Sequence, residues 1–226
     1  MGSGTLYIIS GPIGNLQDIT LRAIETLKNV DWILSEDTRE TAKLLTQFNI
    51  QKPQLSYRDQ NHLKSLPEIV KLLEEGSNLA LLSDSGTPLI SDPGFKLVRE
   101  VLHRGFKVST IPGPSAVIAA LSISGLPTDK FVFLGFLPKG PNQRKNLLTE
   151  YGTHDATLVI YESPYRIKKL LQEIKEALGN RTVCLAGELT KIYEKVVTKP
   201  VDQLLTEIDK LSIKGEYVVL VAKESA

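Results

Sequence analysis

Apolar and polar positions along this chain come in blocks. Thr5-Leu6-Tyr7-Ile8-Ile9 is a short apolar run rich in β-branched and aromatic residues, which predicts a buried strand. It stops at Ser10-Gly11-Pro12-Ile13-Gly14-Asn15. An apolar face at Ile19, Ala23, Ile24 and Leu27 then predicts a helix through Lys28, with Asp18 as its cap. The alternation continues with a strand at 31–35, a helix at 41–48, a strand around 54–57, and a helix with Pro67 in its first turn and Gly76 as its stop. Leu79-Ala80-Leu81-Leu82 is again short and wholly apolar, and it breaks into Ser83-Asp84-Ser85-Gly86-Thr87-Pro88. A helix at 94–103, a strand at 106–111 ending in Pro112-Gly113-Pro114-Ser115, and a helix at 116–122 follow. Strands and helices in regular alternation predict an α/β domain built on a mostly parallel sheet with helices on both faces.

The pattern changes near residue 125. Residues 130–136 are apolar and aromatic, and 137–145 read as a Pro/Gly/basic loop. Strands are expected at 157–161, 181–186, 191–197 and 216–222, with helices at 164–178 and 201–211. The expectation is two α/β domains, 1–124 and 125–226, the second with a mixed sheet.

Composition narrows the class of protein. The hydrophobic fraction of 42% and charged fraction of 23% are those of a soluble globular chain, and no apolar run is long enough to span a membrane. The first residues lack the basic and apolar regions of a secretory signal. The single cysteine, Cys184, rules out an internal disulfide framework, and His62, His103 and His154 lack metal-ligand spacing, so no metal is expected. A reducing, cytoplasmic compartment is the expected setting. Through residue 110 there are 12 basic and 13 acidic residues, and 15 and 13 after it, so nucleic-acid binding would have to rest on local patches.

Three polar, Gly- and Pro-bearing breaks (10–15, 83–88, 112–115) follow predicted strands, where open α/β sheets place ligands. They are poor phosphate cradles. Neither G-x-G-x-x-G nor G-x-x-x-x-G-K-[ST] is present, Pro12 has no N–H to offer, and no lysine stands nearby in sequence. An uncharged or cationic ligand suits such a floor, and S-adenosylmethionine, whose methyl sits on a sulfonium, meets that constraint.

The order of motifs is more specific. Ser10-Gly11-Pro12-Ile13-Gly14-Asn15-Leu16, Asp18-Ile19-Thr20-Leu21-Arg22-Ala23 and Ser35-Glu36-Asp37-Thr38-Arg39 are followed by 83–94 and by Ile111-Pro112-Gly113-Pro114-Ser115-Ala116. Gly125-Leu126-Pro127-Thr128-Asp129, Gly135-Phe136-Leu137-Pro138, Tyr161-Glu162-Ser163-Pro164 and Glu188-Leu189-Thr190-Lys191 complete the series. This succession resembles the small-subunit ribosomal RNA methyltransferase I family over nearly the whole chain. Departures are Ser10 where Thr is more usual, Ser85 for Ala, Tyr165 for His and Gly187 for Arg. The resemblance implies a tetrapyrrole-methylase fold, with S-adenosylmethionine in a cleft between two α/β domains, and a homodimer. It implies 2′-O-methylation of a cytidine ribose in the decoding region of 16S rRNA. Implied cofactor contacts are Pro12, Gly14, Asp84, Gly86, Thr87, Ser115, Ala116, Thr128, Tyr161, Glu162, Ala186 and Gly187.

Individual roles stay open at this level. Asp84 either orients a ligand or caps the turn after it. Glu36, Asp37 and Arg39 either place the acceptor, with a carboxylate taking the hydroxyl proton, or form a self-satisfied surface turn. Tyr57 and Arg58 either stack on a nucleotide or are a core tyrosine and a solvated arginine. Arg144 and Lys145 are phosphate contacts or a solvated patch. Lys191 is a proton acceptor only if burial lowers its pKa, and Phe131, Phe133 and Phe136 read as core or dimer interface. Rival functions are a tetrapyrrole or protein-side-chain methylase of the same fold, or an rRNA-binding assembly factor without turnover.

Overall fold

The apolar runs of the first half assemble into one parallel sheet. A computed structural model describes residues 2–208 and 215–224. It places strands β1 (Thr5–Ile9), β2 (Trp32–Ser35), β3 (Gln54–Ser56), β4 (Leu79–Leu82) and β5 (Lys107–Ile111) in the order β3-β2-β4-β1-β5, each neighbour parallel. Helices α1 (Leu21–Asn29), α2 (Thr38–Gln47), α3 (His62–Glu74) and α4 (Phe95–His103) connect them. The period-2 geometry of a strand sorts its side chains to opposite faces. Ile9, Ile33, Ala80, Leu82 and Ile111 pack with Ala23 and Leu27 of α1 and Leu45 of α2. Leu6, Ile8, Leu34, Leu79 and Leu81 pack with Ile69 and Leu73 of α3 and Leu97 and Val101 of α4. Each fully buried Leu or Ile contributes about 1.5–3 kcal/mol, which is why continuous apolar strands settle between two helical layers.

Several boundaries differ from expectation: α2 starts at Thr38 rather than 41, the strand expected at 191–197 lies at Lys195–Pro200, and the starts of α1 and α3 also move. The cap of α1 is Thr20, whose side chain accepts the Ala23 N–H, while Asp18 ends a preceding 3-10 turn. Helix α3 begins at His62, so Pro67 lies inside it rather than in its first turn. The carbonyl that Pro67 cannot reach belongs to Leu63, a residue on the exposed side of the helix.

The chain divides into two compact units, Met1–Ser115 and Ala116–Ala226. Helix α5 (Ala116–Ile123), expected with the first domain, therefore opens the second unit, where it lies against β10 (Tyr217–Val221). The second sheet runs β6 (Phe131–Phe136), β7 (Thr157–Glu162), β10, β8 (Thr182–Gly187), β9 (Lys195–Pro200). Only β6 and β7 are parallel, so the sheet is mixed. Helices α6 (Pro141–Gly152), α7 (Ile167–Leu178) and α8 (Val201–Glu207) cover it through Leu148, Leu170, Ile174 and Leu204. The start of α6 corrects the loop expected over 137–145. Pro141 stands at its first position, where a missing N–H costs nothing and φ is already helical. The end expected for α8 at Leu211 lies outside the described residues.

Candidate functional site

Strands β2, β4, β1 and β5 are consecutive neighbours, so their carboxyl ends deliver four turns to one edge of the first sheet. Three of these turns are fastened together. The Gly11 N–H donates to the Gly86 carbonyl at 2.8 Å, and the Gly86 N–H returns a bond to the Pro12 carbonyl at 3.1 Å. The Thr87 hydroxyl donates to the Pro114 carbonyl at 3.2 Å, which leaves Ser10 Oγ as the donor to Thr87 Oγ1 at 2.9 Å. Gly86 has φ +69, and a Cβ there would stand 3.3 Å from Ile13 Cγ2. A Cβ on Gly113 would meet Ser10 Cβ at 3.0 Å, so glycine lets the third turn close on the first. Gly14 and Ser85 are exposed at this edge, while Pro12 and Ser115 are partly covered. The three turns carry hydroxyls, amides and carbonyls, and their one charged side chain is Asp84. That donor set fits an uncharged or cationic ligand and offers nothing to neutralise a phosphate.

The fourth turn carries the acid chemistry. Ser35 pairs with Leu82, so Glu36-Asp37 leaves β2 beside Ser83-Asp84. The Asp37 N–H donates to Asp84 Oδ1 at 3.0 Å. Asp37 caps α2 and takes a two-pronged bond from Arg39, with Nε at 3.1 Å and Nη2 at 2.8 Å. Arg58, just past β3, donates through Nε to the Glu36 carbonyl at 2.8 Å, and its Nη2 stands 3.6 Å from Asp37 Oδ2. The Arg39 hydrogen bonds hold the Asp37 carboxyl well below the usual carboxylate range. Glu36 moves the other way. Burial first, and the Asp84 charge next, push its carboxyl up against the opposing Asp84 N–H and Arg58. The two neighbouring carboxyls are thus driven apart, Glu36 upward and Asp37 downward.

Tyr57 requires a correction. Its ring is fully buried in the layer under α3 and α4, and its hydroxyl meets His62 Nδ1 at 2.9 Å, so it cannot stack on a nucleotide. Burial and then the Asp59 charge push its pKa up to about 12. Arg58 remains exposed.

In the second unit, Arg144 also departs from expectation. Its side chain on α6 is 1% exposed and is held by Glu162 of β7 at 3.2 Å and Glu173 of α7 at 2.7 Å, out of reach of any phosphate. Lys145, one residue on, is exposed. Glu162 is equally enclosed, with Arg166 at 3.4 Å and the Ser163 N–H at 2.9 Å on its other oxygen, so its carboxylate is spent on the fold rather than open to a cofactor. Thr128 is exposed, and Tyr161 is half-buried with its ring against Phe133 and Phe136. Phe136 and Phe131 are themselves exposed rather than core. Ala186 is buried, and the Tyr217 ring occupies the space beside Gly187 that a side chain would need. Lys191 pairs with Glu188 at 2.9 Å and Glu216 at 3.5 Å; burial lowers its pKa, and these carboxylates together outweigh that and raise it. The links between Ser10, Thr87 and Pro114, and between Asp37 and Asp84, join residues far apart in sequence, and no local pattern announces them.

Comparison with known proteins places this arrangement. The family model of Tetrapyrrole (Corrin/Porphyrin) Methylases matches residues 5–205. A Thermotoga maritima protein named Ribosomal RNA small subunit methyltransferase I is 45% identical over 98% of this chain and all of its own length. A Vibrio cholerae protein of the same name is 48% identical over 97% of this chain and 77% of its own. Among solved structures, diphthine synthase superposes with a TM-score of 0.72 at 14% identity, covering 98% of this chain and 90% of its own. Uroporphyrin III C-methyl transferase from Thermus thermophilus gives 0.66 at 18% identity, covering 97% of each chain. At such identities the two structures speak for the fold alone. The chain belongs to the tetrapyrrole methylase family and, within it, to the ribosomal RNA small subunit methyltransferase I family.

Proposed function

We propose that this chain transfers a methyl group from S-adenosylmethionine to the RNA of the small ribosomal subunit, at the ribose 2′-oxygen of a cytidine in the decoding region of 16S rRNA. The observation that carries the reading is the likeness, over nearly the whole of this chain, to relatives named for small-subunit rRNA methyl transfer. The fastened, cation-free floor of Ser10–Asn15, Ser83–Pro88 and Pro112–Ser115 supports the donor, since a sulfonium nucleoside needs hydroxyl and amide partners and no phosphate cradle. Pro12, Gly14, Gly86, Thr87 and Ser115 are the proposed contacts in the first unit. Ala116, Thr128, Tyr161, Ala186 and Gly187 are proposed in the second by motif likeness.

Chemically, the ribose O–H proton passes to Glu36, the oxygen forms the new O–C bond, and the electron pair of the broken C–S bond stays with sulfur. Glu36 is the proposed proton acceptor, Asp37 and Arg39 hold its strand end, and Arg58 and Lys145 are the proposed RNA contacts. A homodimer in the cytoplasm is the proposed working form. The test is labelled methyl donor with small ribosomal subunits, followed by alkaline cleavage of the rRNA. The expected result is label at a single position that cleavage skips. Label on a base would overturn the ribose assignment, and tight rRNA binding with no transfer would favour an assembly factor.

A further inference from the structure

We propose that the edge of the second sheet where β6 and β7 end is a landing surface for single-stranded RNA, with Tyr165 as the residue on which a base stacks. This deepens the proposed function and rests on its reading of RNA as the partner of this chain. The surface lies wholly within the second unit. Strands β6 and β7 are parallel and pair Phe136 with Tyr161, so the turns that follow them leave the same edge. One turn leads into α6, and the other is the 3-10 turn Pro164–Arg166 that leads into α7. Arg144 of α6 reaches Glu162 at 3.2 Å and Glu173 of α7 at 2.7 Å, and Arg166 meets Glu162 at 3.4 Å. Those ion pairs fasten the two segments side by side. Tyr165, in the 3-10 turn, is 96% exposed, so its ring packs on almost nothing and is open to a base. Phe136, at the end of β6, is exposed beside it on the same edge.

Charge identifies the occupant. Residues 137–149 and 163–172 contain six cations, Lys139, Arg144, Lys145, Arg166, Lys168 and Lys169, and no acidic residue. The carboxylates paired with them, Glu162 and Glu173, are 1% and 14% exposed, so the charge these segments turn to solvent is positive. In a chain of net charge +1 this is a local concentration suited to a phosphate backbone. Helix α6 starts here with no side-chain cap, and its first N–H groups add to the same field. A single strand offers unstacked bases as well as phosphates, and an open phenol ring among cations answers both. A duplex hides its base faces and would use the cations alone. Tyr193 provides the contrast. It is 82% exposed, but around it Glu188, Glu194 and Glu216 stand against Lys191 and Lys195. That surface has no positive excess, and Tyr193 is given no stacking role.

The experiment measures, by fluorescence anisotropy, binding of the full-length chain to a labelled, unstructured RNA of about 12 nucleotides. Tyr165→Ala is expected to weaken binding at least about fivefold, while Tyr165→Phe, which keeps the ring, stays within about twofold of the parent. The slope of log affinity against log salt is unmoved in both, because neither substitution changes charge. Lys139→Gln combined with Lys145→Gln flattens that slope by about 1.4. Tyr193→Ala binds as the parent does, and donor heat by calorimetry is unchanged in Tyr165→Ala. Equal affinity of the parent and Tyr165→Ala would overturn the proposal, as would a parent chain that binds no RNA. Binding by Tyr165→Phe as weak as by Tyr165→Ala also overturns it, since the hydroxyl rather than the ring would then be the contact. So does conversion of a dimer to a monomer by Tyr165→Ala in sedimentation, which makes the edge an interface between two copies. A parent chain that binds this RNA through Tyr165 yet transfers no methyl group to subunits defeats the proposed function instead, and the surface stands.

Discussion

Glu36 and Asp37 are adjacent in sequence and share a strand end, yet the fold drives their carboxyls in opposite directions. The cause is what each meets: Asp37 meets the Arg39 fork, and Glu36 meets burial and the Asp84 charge. Tyr57 shows the same sensitivity to surroundings. Its ordinary pKa near ~10 in the unfolded chain rises to about 12 in the fold, so the neutral phenol favours folding. That contribution is complete below the unfolded value and is lost as pH climbs through the folded one. Alkaline titration of tyrosinate absorbance is expected to show late titration of Tyr57 and Tyr217, both raised by burial first, with stability falling over the same window. Tyr57→Phe removes the Tyr57 part of the late titration and flattens that part of the fall. If all tyrosines ionise together near the ordinary value, Tyr57 is not enclosed as described. Of these residue roles, the sequence carries the pairing of Asp37 with Arg39, because the two are near neighbours in one turn. It does not carry the burial of Tyr57 or the grip of Asp84, because both depend on which strand lies beside which.

Among the elements, the strand ends were the most legible part of the chain. Apolar runs of four or five residues closed by Gly and Pro mark strands β1, β4 and β5 without ambiguity. Helix α6 was misjudged because Gly140-Pro141 serves equally as a turn and as a helix start. The error carried Arg144 with it, since a basic residue in a loop is solvated while this one faces two carboxylates. Arg144→Ala is expected to destabilise the chain by about 3–5 kcal/mol, because it removes the buried cation shared by Glu162 and Glu173 and leaves Glu162 with Arg166 alone. Lys145→Ala is expected to stay within about 0.5 kcal/mol, as for other surface changes. Urea unfolding measures both, and equal effects would mean that Arg144 is not the enclosed partner. In the floor itself, Gly86→Ala places a Cβ at positive φ and against Ile13. A cost of about 1–2 kcal/mol and weaker donor binding are expected, checked by unfolding and calorimetry. Undiminished affinity would remove that turn from the site.

At the scale of the whole molecule, a net charge of +1 limits how the chain can hold RNA. With Arg39, Arg144 and Lys191 hydrogen-bonded to carboxylates, the exposed cations left from the 57–58 and 137–145 stretches are Arg58, Lys139 and Lys145. Three phosphate contacts on single-stranded RNA give a slope of log affinity against log salt near −2. A filter-binding series across salt concentrations tests this, and a slope several-fold steeper would require a basic surface that these residues do not supply. The strand order of the first sheet has a further consequence, for the nascent chain. β1 pairs only with β4 and β5, and even the bond from Thr5 N–H to Asn78 spans 73 residues. At about 5–20 residues per second, β1 waits several seconds for the neighbours that will cover it. Throughout that interval Leu6, Ile8 and Ile9 are an unprotected apolar segment of the growing polypeptide, a stretch on which a chaperone would be needed.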